Sequence, residues 1–155
     1  MDKRERINGE IEKQNKTAIF RDRMAEPFFT LLGLQIEEVR PDFCRMRLPF
    51  RPALRTEGEV VHGGAIASLV DSTGVVAVWS NVPADITRGA TASMTVNYLA
   101  AAEGIDLIAE AHIARRGRGV VFVEVLVTTP SGEPIAKGSL VYKLGSGGKL
   151  AGTQQ

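Results

Sequence analysis

Residues 61–80 have the sequence VHGGAIASLVDSTGVVAVWS, and this stretch decides the fold. Apolar side chains occupy nearly every side of a helical projection of it, interrupted only by small or hydroxyl residues and by one charge, Asp71. A helix that is apolar all round belongs inside a protein. The segment therefore predicts a buried central helix from Gly63 to Ser80.

Strand patterns surround this helix on both sides. Before it, residues 34–49 alternate between apolar and charged side chains, which predicts a strand. After it, four more strands are expected at roughly 89–99, 106–115, 120–129 and 134–144, separated by glycine-rich turns. This order predicts an α+β domain in the hotdog arrangement, in which a curved antiparallel sheet of five or six strands wraps around one long helix.

The two ends of the chain differ from this middle region. Residues 1–19 are mostly polar and predict a charged tail or a frayed helix, residues 20–145 the folded domain, and residues 146–155 a flexible tail. Apolar residues recur at helical spacing from Phe20 to Leu32, so we expect a short helix there. Pro27 should restart it and Gly33 should end it.

Composition excludes several classes of protein. A net charge of +1 gives no global attraction to nucleic acid. The single Cys44 excludes an intramolecular disulfide, and only two histidines accompany it, so we expect no structural zinc site and no metal. No run is long and apolar enough to be a signal peptide or a membrane span, which predicts a cytoplasmic protein without a membrane partner.

The start of the central helix carries the chemistry. Gly63 and Gly64 expose backbone N–H groups that could stabilise a developing oxyanion, while Asp71 is a carboxylate in an apolar helix, where burial favours a base. Each feature alone is more often structural, but the combination favours a functional site. A histidine such as His62 more often bonds a backbone group, and the alternative is a role in shaping the pocket.

The motif His62-Gly63-Gly64 followed by Asp71 resembles hotdog acyl-CoA thioesterases of the phenylacetate-degradation type, over about residues 28–142. The resemblance implies that the Gly63 amide polarises the thioester carbonyl and that Asp71 is the nucleophile or general base. It also implies that Thr91 orients the attacking water, with Ser93 as a nearby substitute. Many members have an asparagine six residues before the histidine. Thr56 stands there instead and could donate through its hydroxyl.

The expected substrate is an acyl-CoA, and no cofactor is needed. Arg115, Arg116 and Arg118 could bind the phosphates of coenzyme A, with a solvated hairpin as an equal alternative. The resemblance implies a homodimer or a homotetramer built as a dimer of dimers. Gly63 and Asp71 are about 12 Å apart along one helix, so we expect each site to combine groups from two copies.

The sequence is compatible with two other functions. A hotdog enoyl-thioester hydratase uses a histidine and a helix carboxylate too, but usually has prolines around the histidine, and residues 61–65 contain none. An acyl-CoA sensor would keep the pocket without turnover. The acyl group, whether phenylacetyl, hydroxybenzoyl or medium-chain, depends on how the aromatic side chains pack, namely Phe28, Phe29, Trp79 and Tyr98.

Overall fold

A computed structural model describes residues 26–146 as two helices and six strands. The helices are α1 (Pro27–Leu32) and α2 (Gly63–Trp79). The strands are β1 (Gln35–Arg40), β2 (Phe43–Leu48), β3 (Ile86–Tyr98), β4 (Leu107–Arg116), β5 (Val120–Thr128) and β6 (Pro134–Ser146). The predicted tails lie outside the described residues, except Ser146, which ends β6.

The six strands form one antiparallel sheet in the order β1-β2-β4-β5-β6-β3, and α2 packs against one face of it. This is the predicted hotdog arrangement, and the central helix begins at the predicted residue. The order leaves β1 and β3 at the two edges of the sheet. Since β3 has a strand partner on one side only, its other side is open within residues 26–146.

The core lies between α2 and the facing side of the sheet. Along β5 the valines 121, 123, 125 and 127 are buried while the residues between them are more exposed, which is the alternation of a strand with one covered face. Gly138 on β6 lets α2 approach closely, because a Cβ there would overlap Val70. Cys44 is fully buried among apolar neighbours, and burial raises the pKa of its thiol to about 12.

Two local expectations need revision. Residues 34–49 contain two strands, because Pro41 and Asp42 form a turn in which Asp42 has a left-handed φ of 64°. The predicted loop from Pro49 to Glu59 includes a 3-10 turn at Pro52–Leu54. At the first helix, Pro27 lies in the first turn and Gly33 ends the helix with φ 72°, as predicted, while the part from Phe20 lies outside the described residues.

The sheet does not cover every side of α2. The less buried residues recur every three or four positions, so they form one stripe along the helix: Gly64, Ala67, Ser68, Asp71 and Val75. We call this stripe the open face of α2. Within residues 26–146 no helix is long and apolar enough to cross a membrane.

Candidate active site

His62 caps the start of α2. Its imidazole Nδ1 accepts a hydrogen bond from the Gly64 N–H at 2.8 Å, and its carbonyl accepts from Ala65 and Ile66 at 2.9 and 3.2 Å. A helix start leaves four N–H groups unpaired, here those of residues 62–65, and three of them have acceptors: Gly64 and Ala65 bond His62 as described, and the His62 N–H donates to the Leu54 carbonyl at 2.7 Å. The Gly63 N–H is the fourth, and it has no acceptor in the described part of the chain.

These contacts separate the three candidates at the helix start. His62 bonds a backbone group, which is the more frequent of the two roles considered for it. The Gly64 N–H is occupied by that imidazole, so Gly64 is not a free donor while the cap holds. Gly63 is the residue whose N–H remains able to bind an oxyanion.

Asp71 lies on the open face of α2, two turns after Gly63. Its Oδ1 accepts a hydrogen bond of 2.7 Å from the hydroxyl of Thr91 on β3. The other carboxylate oxygen, Oδ2, has no donor among the described residues. Asp71 is half-buried in this single chain rather than enclosed, since the open face has no cover here. One oxygen is therefore held by the strand and the other is available.

Ser93 cannot replace Thr91. A β-bulge lies between these residues, so that Thr91 pairs with Tyr142 and Ser93 pairs with Val141. Tyr142 is buried on the helix side of the sheet, and its neighbour Val141 points to the opposite side. The expectation that Ser93 substitutes for Thr91 is therefore wrong, because the two side chains lie on different faces.

Thr56 lies in an exposed turn before α2. Its backbone N–H donates to the Val60 carbonyl at 2.8 Å, and the next pairs along this small ladder are Arg55 with Val61 and Leu54 with His62. The ladder leads away from the helix start, and Thr56 is at its far end. Its hydroxyl has no hydrogen bond within residues 26–146, so no contact ties it to Gly63.

The three arginines do not form one cluster. Arg115 and Arg118 are exposed, whereas Arg116 has a side chain only 22% exposed. Arg116 donates to Asp42 Oδ1 through Nε and Nη2, at 3.1 and 2.6 Å, and to the Val78 carbonyl at 3.1 Å. Because its guanidinium is paired with Asp42 inside the fold, Arg116 is less available to a phosphate than the sequence indicates, and its role as a phosphate ligand stays a prediction. The guanidinium groups of Arg115 and Arg118 have no hydrogen-bond or ion-pair partner within residues 26–146.

Tyr98 has a contact that sequence reasoning missed, since it was considered only for the acyl pocket. Its hydroxyl donates to the Gly63 carbonyl at 2.9 Å. No motif signals this contact, because the two residues are 35 positions apart. Within residues 26–146, no group of three or more His, Cys, Asp or Glu side chains could hold a metal ion.

Comparisons with known proteins agree with the hotdog arrangement of the sheet and the helix. A thioesterase family protein from Silicibacter pomeroyi superposes with a TM-score of 0.79 and 24% identity, over 85% of this chain and 99% of that one. A hypothetical thioesterase from Streptococcus pneumoniae, solved with coenzyme A, gives 0.72 and 19%, over 82% and 97%. At these identities the likeness concerns the fold.

The sequence comparisons define the family more narrowly. The family model named "Domain of unknown function (DUF4442)" matches residues 16–143, so the chain belongs to that family. It is similar to "Putative esterase VNG_1336C" of Halobacterium salinarum, with 37% identity over 106 residues, 66% of this chain and 70% of that protein.

Proposed function

We propose that the protein hydrolyses an acyl-CoA thioester to the free acid and coenzyme A. One observation carries the proposal: an unpaired backbone N–H and a carboxylate held by a hydroxyl both lie on or beside the one face of α2 that the sheet leaves open. Thioester hydrolysis needs a donor for the developing oxyanion and a base or nucleophile for the attack. The esterase and thioesterase names among the similar proteins support the same reaction.

The general-base form of the reaction uses the free oxygen of Asp71. Oδ2 takes a proton from a water whose oxygen attacks the thioester carbon, and Thr91 keeps the carboxylate in position through Oδ1. The Gly63 N–H stabilises the negative oxygen of the tetrahedral intermediate. Collapse breaks the carbon–sulfur bond, and Asp71 passes the proton taken from the water to the leaving thiolate. Attack by Asp71 itself, followed by hydrolysis of the anhydride, gives the same products.

A single chain cannot bring these groups to one carbonyl. Gly63 and Asp71 lie on one uninterrupted helix, eight residues apart, which corresponds to about 12 Å. A reacting carbonyl needs both groups within about 3.5 Å. A second copy supplies the missing group, so we propose that the active unit is a homodimer, or a tetramer made of two such dimers.

The open face of α2 suits this pairing. Residue 67 is midway between Gly63 and Asp71, so a two-fold axis passing beside it sets Gly63 of one copy opposite Asp71 of the other. Ala67 is small and lies on the open face, where Gly64 and Ser68 also allow a close approach between helices. The unpaired side of β3 offers backbone groups to the same neighbour.

The motif His62-Gly63-Gly64 followed by Asp71 favours a thioesterase of the phenylacetate-degradation type. Release of free thiol tests the proposed substrate class directly. Purified protein is incubated with phenylacetyl, hydroxybenzoyl, medium-chain acyl and enoyl CoA thioesters, and free thiol and product are followed separately. The proposal expects release of coenzyme A from at least one acyl-CoA. Hydration of the enoyl substrate without thiol release indicates the hydratase, and binding without either product indicates the sensor.

A further inference from the structure

Tyr98 lies against the residue that carries the unpaired N–H. Besides the hydrogen bond from its hydroxyl to the Gly63 carbonyl, its ring covers the glycine: a Cβ at position 63 would lie 3.4 Å from ring atoms Cε1 and Cζ. The side chain is still 53% exposed, so the ring also borders the open side of the helix start. Tyr98 therefore contacts Gly63 with both its hydroxyl and its ring while part of the side chain stays exposed.

The first turn of a helix needs such support when it must hold a ligand. Helix ends fray, and glycine has the most flexible backbone of all residues. The Gly63 N–H and the Gly63 carbonyl belong to the two peptide planes that meet at the Gly63 Cα, and φ and ψ of Gly63 set the angle between these planes. A side chain that fixes the carbonyl from a neighbouring strand therefore also restricts the N–H, and placement errors near 1 Å can cost about a hundredfold in rate.

Strand β3 holds both functional groups of α2. Thr91 donates to Asp71 and pairs with the buried Tyr142 of β6. Tyr98 donates to Gly63 and pairs with the buried Ala136 of the same strand. The two positions are seven residues apart, an odd number, so in a regular strand they would point to opposite faces. The β-bulge between Thr91 and Ser93 adds the extra residue that returns both side chains to the helix side.

We propose that Tyr98 is a positioning residue for the Gly63 N–H, and that the bulge in β3 allows this one strand to support both Gly63 and Asp71. This inference rests on the proposed thioester hydrolysis. Tyr98 acts through Gly63 and not as an acid, because its hydroxyl proton is already given to the Gly63 carbonyl. Loss of the Tyr98 hydroxyl should therefore lower kcat without changing the shape of the pH–rate profile.

The test compares Tyr98→Phe, which removes only the hydroxyl, with Asn97→Ala as a matched control. Asn97 is the neighbouring residue on the same strand, is exposed, and pairs with Lys137 on the opposite side of the sheet. We expect Tyr98→Phe to lower kcat about tenfold, the value of one hydrogen bond, with KM within about twofold and an unchanged shape of the pH–rate profile. Asn97→Ala should change neither constant. The amide NMR signal of Gly63 should shift in Tyr98→Phe and stay in place in the control.

Two results contradict the inference. A Tyr98→Phe variant with kcat within twofold of the parent shows that the hydroxyl does not position the donor. A higher KM with unchanged kcat shows that Tyr98 only lines the binding surface. Asp71→Asn, assayed alongside, separates the proposed function from the role of Tyr98. If Asp71→Asn is inactive while Tyr98→Phe equals the parent, only the Tyr98 inference is wrong. If the parent itself releases no thiol, the proposed function and this inference fail together.

Discussion

The two ends of helix α2 are stabilised in different ways. Toward the amino-terminal end, from Gly63 to Asp71 at the middle of the helix, one N–H and one carboxylate oxygen have no partner within residues 26–146, and the side chains on one face are uncovered. At the carboxyl-terminal end the helix is buried, and Arg116 donates to the Val78 carbonyl. The first end has groups available for a ligand, whereas the second has its charge satisfied within the fold.

Asp42 connects the carboxyl-terminal end to the rest of the fold. Its carboxylate accepts from Arg116 and Asn81, and its backbone N–H donates to Ser80 Oγ at 2.9 Å. Its carbonyl accepts from Ile113 at 3.1 Å, so one turn residue joins the helix end to β4. Anchoring one end of a helix in this way fixes its direction, and the open groups at the other end need that rigidity. The comparison predicts that changes at the first end affect rate and changes at the second affect stability.

The largest effect is expected from Asp71→Asn. The amide has nearly the shape of the carboxylate but is neither a base nor a nucleophile, so thioesterase activity should fall roughly a hundredfold to ten-thousandfold. The melting temperature and the circular dichroism spectrum should stay close to those of the parent. Activity within a few-fold of the parent would show that Asp71 is structural, which would remove the distinction between the two ends.

A smaller effect, on stability, is expected from Arg116→Met. Methionine retains much of the packing of the arginine stem, but the hydrogen bonds to Asp42 and Val78 are lost, which should lower the free energy of unfolding by about 2 kcal/mol. Arg115→Met is the control: its side chain is exposed, so unfolding should change by no more than about 0.5 kcal/mol. Denaturant titrations of both variants check this. If Arg116→Met has unchanged stability and a raised KM for acyl-CoA, the result would support Arg116 as a phosphate ligand.

The smallest effect concerns the two exposed arginines. If Arg115 and Arg118 bind the nucleotide phosphates, each alanine variant should raise KM for acyl-CoA by roughly two- to fivefold, the range of exposed ion pairs. KM for a short pantetheine thioester, which lacks the nucleotide, should not change. Arg40→Ala on β1, at the edge of the sheet away from β3, is the control for general loss of charge. Equal changes with both substrates would mean that neither arginine contacts the phosphates.

The sequence predicted those parts of the fold that depend on local pattern. The apolar helix from Gly63, the alternation in β5 and β6 and the helix end at Gly33 all follow from periodicity or from backbone freedom. The turn at Pro41 and Asp42 was missed because apolar alternation continues on both sides of it. Its left-handed residue is an aspartate stabilised by contacts from distant elements, rather than the glycine that marks most such turns.

Contacts between distant residues could not be predicted in the same way. Neighbouring arginines have identical chemistry, and whether Arg115 or Arg116 points inward depends on a register shift between Ile113 and Arg115. The bulge in β3 likewise decides that Thr91 and Tyr98 face the helix and Ser93 does not. A bulge depends on pairing between strands, so the sequence of one strand does not reveal it.

The central claim, that each active site combines Gly63 of one copy with Asp71 of another, is tested by mixing two inactive variants. One is Asp71→Asn. The other is Gly63→Pro, which deletes the N–H at the first helical position, where proline is tolerated; His62 before it already has the extended backbone that proline requires, with φ −62° and ψ 134°. Gly63→Ala, which retains the N–H, is its matched control and should stay active.

The two inactive variants are dissociated, mixed in equal amounts and reassociated, and thiol release is measured before and after mixing. Each mixed dimer has one site with both defects and one intact site, so random pairing should restore activity to about a quarter of all sites. Recovery near that level is the predicted result. If folded variants that are shown to have mixed recover no activity, the shared site is contradicted, and Asp71 must act with donors from its own chain.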